Sequence, residues 1–249
     1  MKPQITIFTL TATALCSPIF LIHRAQVDTT AQLQSRQTGT IAKEYTQGGC
    51  RDVIFIFARG STEVGNMGST VGPPTSDGLK KKYGENKVAT EEVDYAAGLT
   101  TNFLPGGADP VGVDEMKRLL TDATNKCDKS KIVAGGYRYA VCCGLVQDQR
   151  LGTDNGVFYS QGAATAHRAI ENLPDSVKSK ILGVVTYGDT QNQQDKGQIP
   201  NFPKDKLKLI CNEGDKVCTG TLEITPAHLD YERHVPEAVD FLTGKIGNL

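Results

Sequence analysis

The 249-residue chain has no tryptophan, and all aromatic residues together make up only 6% of it. A platform that stacks bases or sugar rings on aromatic faces is therefore disfavoured. Neither sign of charge is in excess: 27 Lys and Arg stand against 28 Asp and Glu, a net charge of −1. A nucleic-acid partner calls for a basic surplus, which is missing. No CxxC pair and no His-bearing ligand spacing accompanies the seven cysteines, which argues against a metal site. There is no N-x-S/T sequon, so N-glycosylation is not expected. The one long apolar run, Ile5 to Ile22, is diluted by Thr and Ser and only reaches the lower limit for spanning a bilayer.

That run fits a secretory signal peptide better. Lys2 precedes it, small residues fill it, and no further charge comes before Arg24. Residues 1–25 are read as the signal, with its end between Ala14 and Ala25. The product is expected to be secreted and extracellular, without stable membrane insertion. Residues 26–49 are polar, rich in Gln and Thr, and without periodicity, which suggests a flexible lead-in or short pro-segment. Secretion makes the cysteines readable as disulfides. Cys16 leaves with the signal, and Cys142 and Cys143 sit side by side in an unusual stretch. Cys50, Cys127, Cys211 and Cys218 remain, and four cysteines allow three pairings. Cys211 and Cys218 flank one short loop and pair most simply with each other. A Cys50–Cys127 bond would then tie the start of the domain to the end of a helix.

From Cys50 to Leu249 apolar runs alternate with helical patterns. "DVIFIFARG" (Asp52–Gly60) is too uniformly apolar for a half-exposed strand and reads as a buried parallel one. Lys87–Tyr95, Lys131–Tyr137, Lys180–Asp189 and Lys206–Cys211 are further strands, the first of them edge-like. Helices are expected over the "SDGLKKKYG" stretch, from Asp109 to Cys127, over "GAATAHRAIENL" and over "DYERHVPEAVDFLTGKI". Asp109 followed by Pro110 is a strong helix start, because the carboxylate accepts free N–H groups and Pro suits the first turn. Five strands alternating with helices make a single α/β domain, a parallel sheet covered on both faces. Chemistry in such a sheet sits at the C-terminal strand ends.

Those ends hold suitable groups. Ser61 follows the first strand, Ser160 and Gln161 stand before a helix, and Asp215 and His228 follow the fifth strand. The order Ser, Asp, His is that of α/β-hydrolase enzymes. A serine hydroxyl is a poor nucleophile until an imidazole takes its proton, and that imidazole needs a carboxylate to fix its tautomer. His228 lies in an irregular Pro-containing loop suited to a catalytic imidazole. His167 lies one helical face from Ser160 and reads as a surface or packing residue. Asp189, at the end of the fourth strand, rivals Asp215 as the carboxylate. Ser61 has a plainer reading as a turn cap.

The stretches "CRDVIFIFARGSTEVGNMGSTVGP", "KIVAGGY", "SQGAATA", "KGQIPNFPKDKLKLICNEGDKVCTG" and "AHLDY" run in order over nearly all of the chain from Cys50 to Leu242. Together they resemble the fungal cutinases, secreted serine esterases. The resemblance implies a small α/β-hydrolase with an exposed site, no cofactor and no metal. It makes Ser160 the nucleophile, His228 the base and Asp215 its orienter, with Ser61 and Gln161 as oxyanion donors. It implies disulfides Cys50–Cys127 and Cys211–Cys218. The implied substrates are cutin-like polyesters and short-chain esters, acted on by a monomer. "GLTTNFLP" (Gly98–Pro105) and "LEITPA" (Leu222–Ala227) would flank the site. Acetylxylan esterase, of related fold with the same triad, is the alternative, although "NEGDKVCTG" and "AHLDY" look more like cutinase.

The chain departs from this family at one place. The family reads G-Y-S-Q-G without a break, whereas here about 22 residues, 138–159, separate Tyr137 from Ser160. The turn that carries such a nucleophile is tight, and Val157, Phe158 and Tyr159 cannot supply its missing glycine. The insert can be back-translated with an intron start across "RYA", a branch site in "TDN" and an intron end in "FYS". Removing about 66 nucleotides restores one serine codon and yields "GGYSQGAA". An unspliced intron is therefore the expected origin. A genuine insertion would instead suggest a catalytically inactive secreted protein.

Overall fold

Alternation along the first strand sets the architecture. In β1 (Val53–Ala58), Ile54, Ile56 and Ala58 join one core cluster, and Val53, Phe55 and Phe57 join another. Successive side chains of a strand point to opposite faces, so a strand apolar on both must be covered on both. The computed structural model describes residues 37–139, 161–220 and 225–249. The strands β1, β2 (Val88–Glu92), β3 (Lys131–Tyr137), β4 (Ile181–Tyr187) and β5 (Leu207–Ile210) form one parallel sheet in the order β2-β1-β3-β4-β5.

The helices are α1 (Glu44–Gly48), α2 (Gly72–Tyr83), α3 (Pro110–Lys126), α4 (Gly162–Glu171), α5 (Asp175–Lys178) and α6 (Val235–Ile246). One face of the sheet is covered by α3 through Met116, Leu119, Leu120 and Ala123, and by α4 through Ala166, Ala169 and Ile170. The other is covered by α2 through Leu79, and by α6 through Ala238, Leu242 and Ile246. Each large side chain so buried contributes about 2 kcal/mol. The expected start of α3 holds: Asp109 caps it, accepting the Val111 N–H at 3.0 Å, with Pro110 in the first turn. The parallel sheet covered on both faces, expected from the alternation, is observed, as is the small α/β-hydrolase architecture that the resemblance implies. Both disulfides form as expected, Cys50–Cys127 with Cα atoms 5.6 Å apart and Cys211–Cys218 at 6.1 Å.

The expected signal peptide and lead-in lie outside the described residues up to position 36. The lead-in's last part differs from a flexible segment. Ala42 and Tyr45 are buried against β2. Glu92 accepts the Ala42 N–H, Glu91 accepts those of Tyr45 and Thr46, and Glu44 accepts that of Thr90. Backbone groups held by carboxylates leave no periodic signal, which is why this anchoring is invisible in the residue pattern. Among the described residues no helix is long and apolar enough to cross a membrane.

The chain runs from β1 outward to β2 and then returns to place β3 on the other side of β1. The point where the order reverses lies between β1 and β3. In open α/β sheets the ligand crevice forms there, beyond the C-terminal strand ends.

Candidate active site

The loop leaving β1 is held from inside. The Glu63 carboxylate accepts the backbone N–H groups of Gly60 (2.8 Å), Ser69 (3.1 Å) and Thr70 (3.1 Å). Arg59 donates to the carbonyls of Tyr95 and Ala96, and the Tyr95 hydroxyl donates back to the Arg59 carbonyl. Ser61 is therefore fixed in a braced turn and is fully buried. The Asn102 side-chain amide reaches its hydroxyl at 3.5 Å.

Gln161 precedes α4 and is also fully buried. Its side chain is spent on structure. Nε2 donates to the Gly98 carbonyl (2.8 Å) and Thr101 Oγ1 (2.7 Å), and Oε1 accepts the Asp109 N–H (2.5 Å). This pins the loop after β2 against the start of α4, whose free N–H groups form a positive end suited to developing negative charge.

Two glycines bring α4 onto the sheet. A methyl at Gly162 would lie 2.2 Å from the Arg59 carbonyl oxygen and 2.4 Å from those of Ala58 and Tyr137. A methyl at Gly136 would lie 2.3 Å from the Gly162 carbonyl oxygen. Only residues without a Cβ allow this approach. Tyr137 and Gly162, far apart in the chain, meet at this contact. Ser160 itself lies outside the described residues, as does the expected insertion from position 140 onward. Arg138 still follows the sheet, its N–H donating to the Tyr187 carbonyl at 3.0 Å.

Beyond β5, the Cys211–Cys218 loop carries Asp215. Its Oδ1 accepts the Val217 N–H at 3.0 Å. Its Oδ2 lies 2.9 Å from His228 Nδ1 and accepts the Tyr231 hydroxyl at 2.5 Å. Burial pushes this carboxyl up. The His228 hydrogen bond and charge, with the donors Tyr231 and Val217, outweigh burial and hold it below the ordinary carboxylate range. Asn212 braces the His228 loop by donating to the carbonyls of Ala227 (2.6 Å) and Asp230 (2.8 Å). Among the described residues, His228 Nε2 is buried and meets no hydrogen-bond partner.

Asp189, the rival carboxylate, is committed elsewhere. Its Oδ2 lies 2.7 Å from His167 Nδ1. His167 is fully buried, not on the surface. Asn102, Asn212 and Tyr231 were not singled out in the residue pattern. They lie within the quoted stretches "GLTTNFLP", "NEGDKVCTG" and "AHLDY", where the residues alone give them no role.

The sequence pattern of the Cutinase family matches residues 49–141 and 156–246. The chain belongs to the cutinase family. It is 44% identical over 218 residues to Probable cutinase 1 of Aspergillus niger, covering 86% of this chain and 75% of that one. A cutinase of Pyricularia oryzae is 41% identical, with 86% and 90% covered. A solved Trichoderma reesei cutinase, in complex with a phosphonate inhibitor, superposes with a TM-score of 0.67 at 27% identity, covering 84% and 81%. An acetylxylan esterase structure shares the fold at 19% identity and a TM-score of 0.51. Membership places the chain among the serine carboxylester hydrolases. The family pattern skips residues 142–155, which lie inside the expected insertion.

Proposed function

We propose that Ser160, His228 and Asp215 form the catalytic triad of this esterase and that Ser61 and Gln161 form its oxyanion hole. The observation that carries the reading is the buried His228–Asp215 contact, with Nδ1 engaged at 2.9 Å and Nε2 without a hydrogen-bond partner among the described residues. In this reading Ser160 Oγ attacks the ester carbonyl while His228 Nε2 takes its proton. The imidazolium is stabilised by an Asp215 carboxylate that stays ionised. The Ser61 hydroxyl and N–H and the Gln161 N–H donate to the oxyanion. His228 returns the proton to the leaving alcohol, and water then resolves the acyl-enzyme by the same steps.

The proposed substrates are cutin-like polyesters and short-chain esters, met outside the cell by a secreted monomer. Val64, Leu104 and Leu229 support this. They are 68%, 40% and 39% exposed, and they come from the loops after β1, β2 and β5 that surround the site. An apolar rim suits an insoluble polyester or an acyl chain. Ala227 belongs to this rim, while Leu222 to Ile224 lie outside the described residues.

The working enzyme in this reading lacks residues 138–159. Joining Tyr137 to Ser160 would place Gly136 and Gly162 two residues either side of the nucleophile. Their close packing is what such a turn requires. An organophosphonate probe tests this on the full chain and on a version without 138–159. The shorter version is expected to label at Ser160 and the full chain far more slowly. Equal labelling would remove the argument about the insertion, and no labelling of either would remove Ser160. A tryptic peptide of the secreted protein beginning at Leu151 and crossing Ser160 would contradict the intron origin. Faster turnover of acetylated xylan than of p-nitrophenyl butyrate would move the substrate to the acetylxylan class.

A further inference from the structure

Tyr231 follows His228 on the same loop, and its ring is fully buried. It packs edge-on against Tyr137 and Tyr187, with centroids 5.8 and 6.3 Å away, and edge-on against the His228 ring at 6.2 Å. A buried tyrosine must settle its hydroxyl, since an unmatched one is costly. This hydroxyl accepts the Asn212 N–H at 3.2 Å and donates to Asp215 Oδ2 at 2.5 Å. The oxygen it chooses is the one that faces His228 Nδ1.

Resting on the triad reading above, we propose that Tyr231 is a positioning residue for the triad. By sharing Oδ2 with the imidazole, it fixes the carboxylate and limits its pull on the His228 proton. Asp215 then has three donors over its two oxygens, so it cannot rotate without leaving one unmatched. The phenol also takes up part of the charge on Oδ2, so Asp215 stabilises the imidazolium less than it otherwise would. A base that releases its proton readily is what the second half of acyl transfer needs. Burial, and then the bond to Asp215, hold the phenol above the ordinary tyrosine range, so it remains a donor wherever the enzyme works. Other titratable groups facing the trio are Arg138 beyond β3, His234 before α6, and Tyr137 and Tyr187.

The test follows the downfield Nδ1–H proton signal of the His228–Asp215 pair, told from that of the buried His167–Asp189 pair by its survival in His167→Ala, through a pH titration of the full chain. This readout does not need Ser160 to react. Tyr231→Phe keeps the ring and removes the hydroxyl. The signal is expected to change at a pH higher by about one unit, a tenfold tighter hold on the proton. A folded Tyr231→Phe protein that titrates at the unchanged pH overturns the proposal, even if its Tm falls. 3-Fluorotyrosine at position 231 keeps the shape and strengthens the donor, so the midpoint should move down; an unmoved midpoint also overturns the proposal. Asp215→Asn separates the two levels of the argument. Loss of the signal supports the pair, whereas its persistence refutes the triad reading and leaves Tyr231 nothing to position.

Discussion

His167 and His228 are both fully buried, and both place Nδ1 beside an aspartate oxygen, 2.7 Å from Asp189 and 2.9 Å from Asp215. Neither second nitrogen makes a well-aligned hydrogen bond among the described residues, but only one has a carboxylate beside it. His167 Nε2 faces Asp195 at 3.1 Å, and Asp195 is also paired with Arg168 at 3.0 Å. The ring is closed in by carboxylates on both sides. It ties α4 to the loop after β4, whose Asn192 in turn contacts the Cys218 carbonyl. His228 has one carboxylate and a free nitrogen among the described residues. A close His–Asp contact is thus no mark of a base by itself. The mark is what the far nitrogen has been left to do.

The largest expected effect breaks the comparison at its active end. In the version lacking residues 138–159, His228→Ala should cut kcat/KM by about 10⁴-fold or more while the fold survives. His167→Ala should do the reverse. It leaves the buried Asp189 without its imidazole partner and costs about 2 kcal/mol, read as a lower Tm, while the folded fraction keeps activity within about tenfold. Equal activity losses in the two variants would mean that the two pairs have been told apart wrongly.

A middle-sized effect concerns the oxyanion side. Ser61→Ala should lower kcat by about 10²-fold with KM nearly unchanged, because the hydroxyl is proposed to bind only the developing charge. Asn102→Ala removes the amide that reaches Ser61 Oγ and should cost less, about tenfold. A rise in KM without loss of kcat for either variant would make them ground-state contacts instead.

The strands, the α3 cap and the Cys211–Cys218 disulfide were readable because each rests on local signals: apolar alternation, an Asp-Pro start and close cysteine spacing, whereas Cys50–Cys127, 77 residues apart, was implied by the resemblance. The choice between Asp189 and Asp215 was not, since both follow buried strands and only packing shows that His167 holds the first. His167 was left open between surface and packing, and its burial decides for packing. A histidine on a helix carries no sign of two carboxylates arriving from a distant loop. The proposed joining of Tyr137 to Ser160 was legible in part. A missing glycine at position 158 is visible in the residues, but that Gly136 meets Gly162 is a fact of three dimensions. The role of residues 37–49 escaped because carboxylate-to-backbone bonds leave no repeat in the chain.

The smallest effect asks whether charge, and not shape alone, holds the His228–Asp215 side of the comparison. Asp215 lies below the ordinary carboxylate range in the folded chain because His228, Tyr231 and Val217 overcome the opposing effect of burial. A depressed carboxyl adds stability that is present above its unfolded range and is lost as pH falls through the folded value. The stability advantage of the unaltered chain over Asp215→Asn should therefore be widest near neutral pH. It should shrink steadily as the solution is acidified past the carboxylate range, where Asp215 takes up its proton. Urea unfolding of both proteins across that range measures the gap directly. A gap that stays constant with pH would mean that the amide fails only by geometry, and that the three donors orient Asp215 without stabilising its charge.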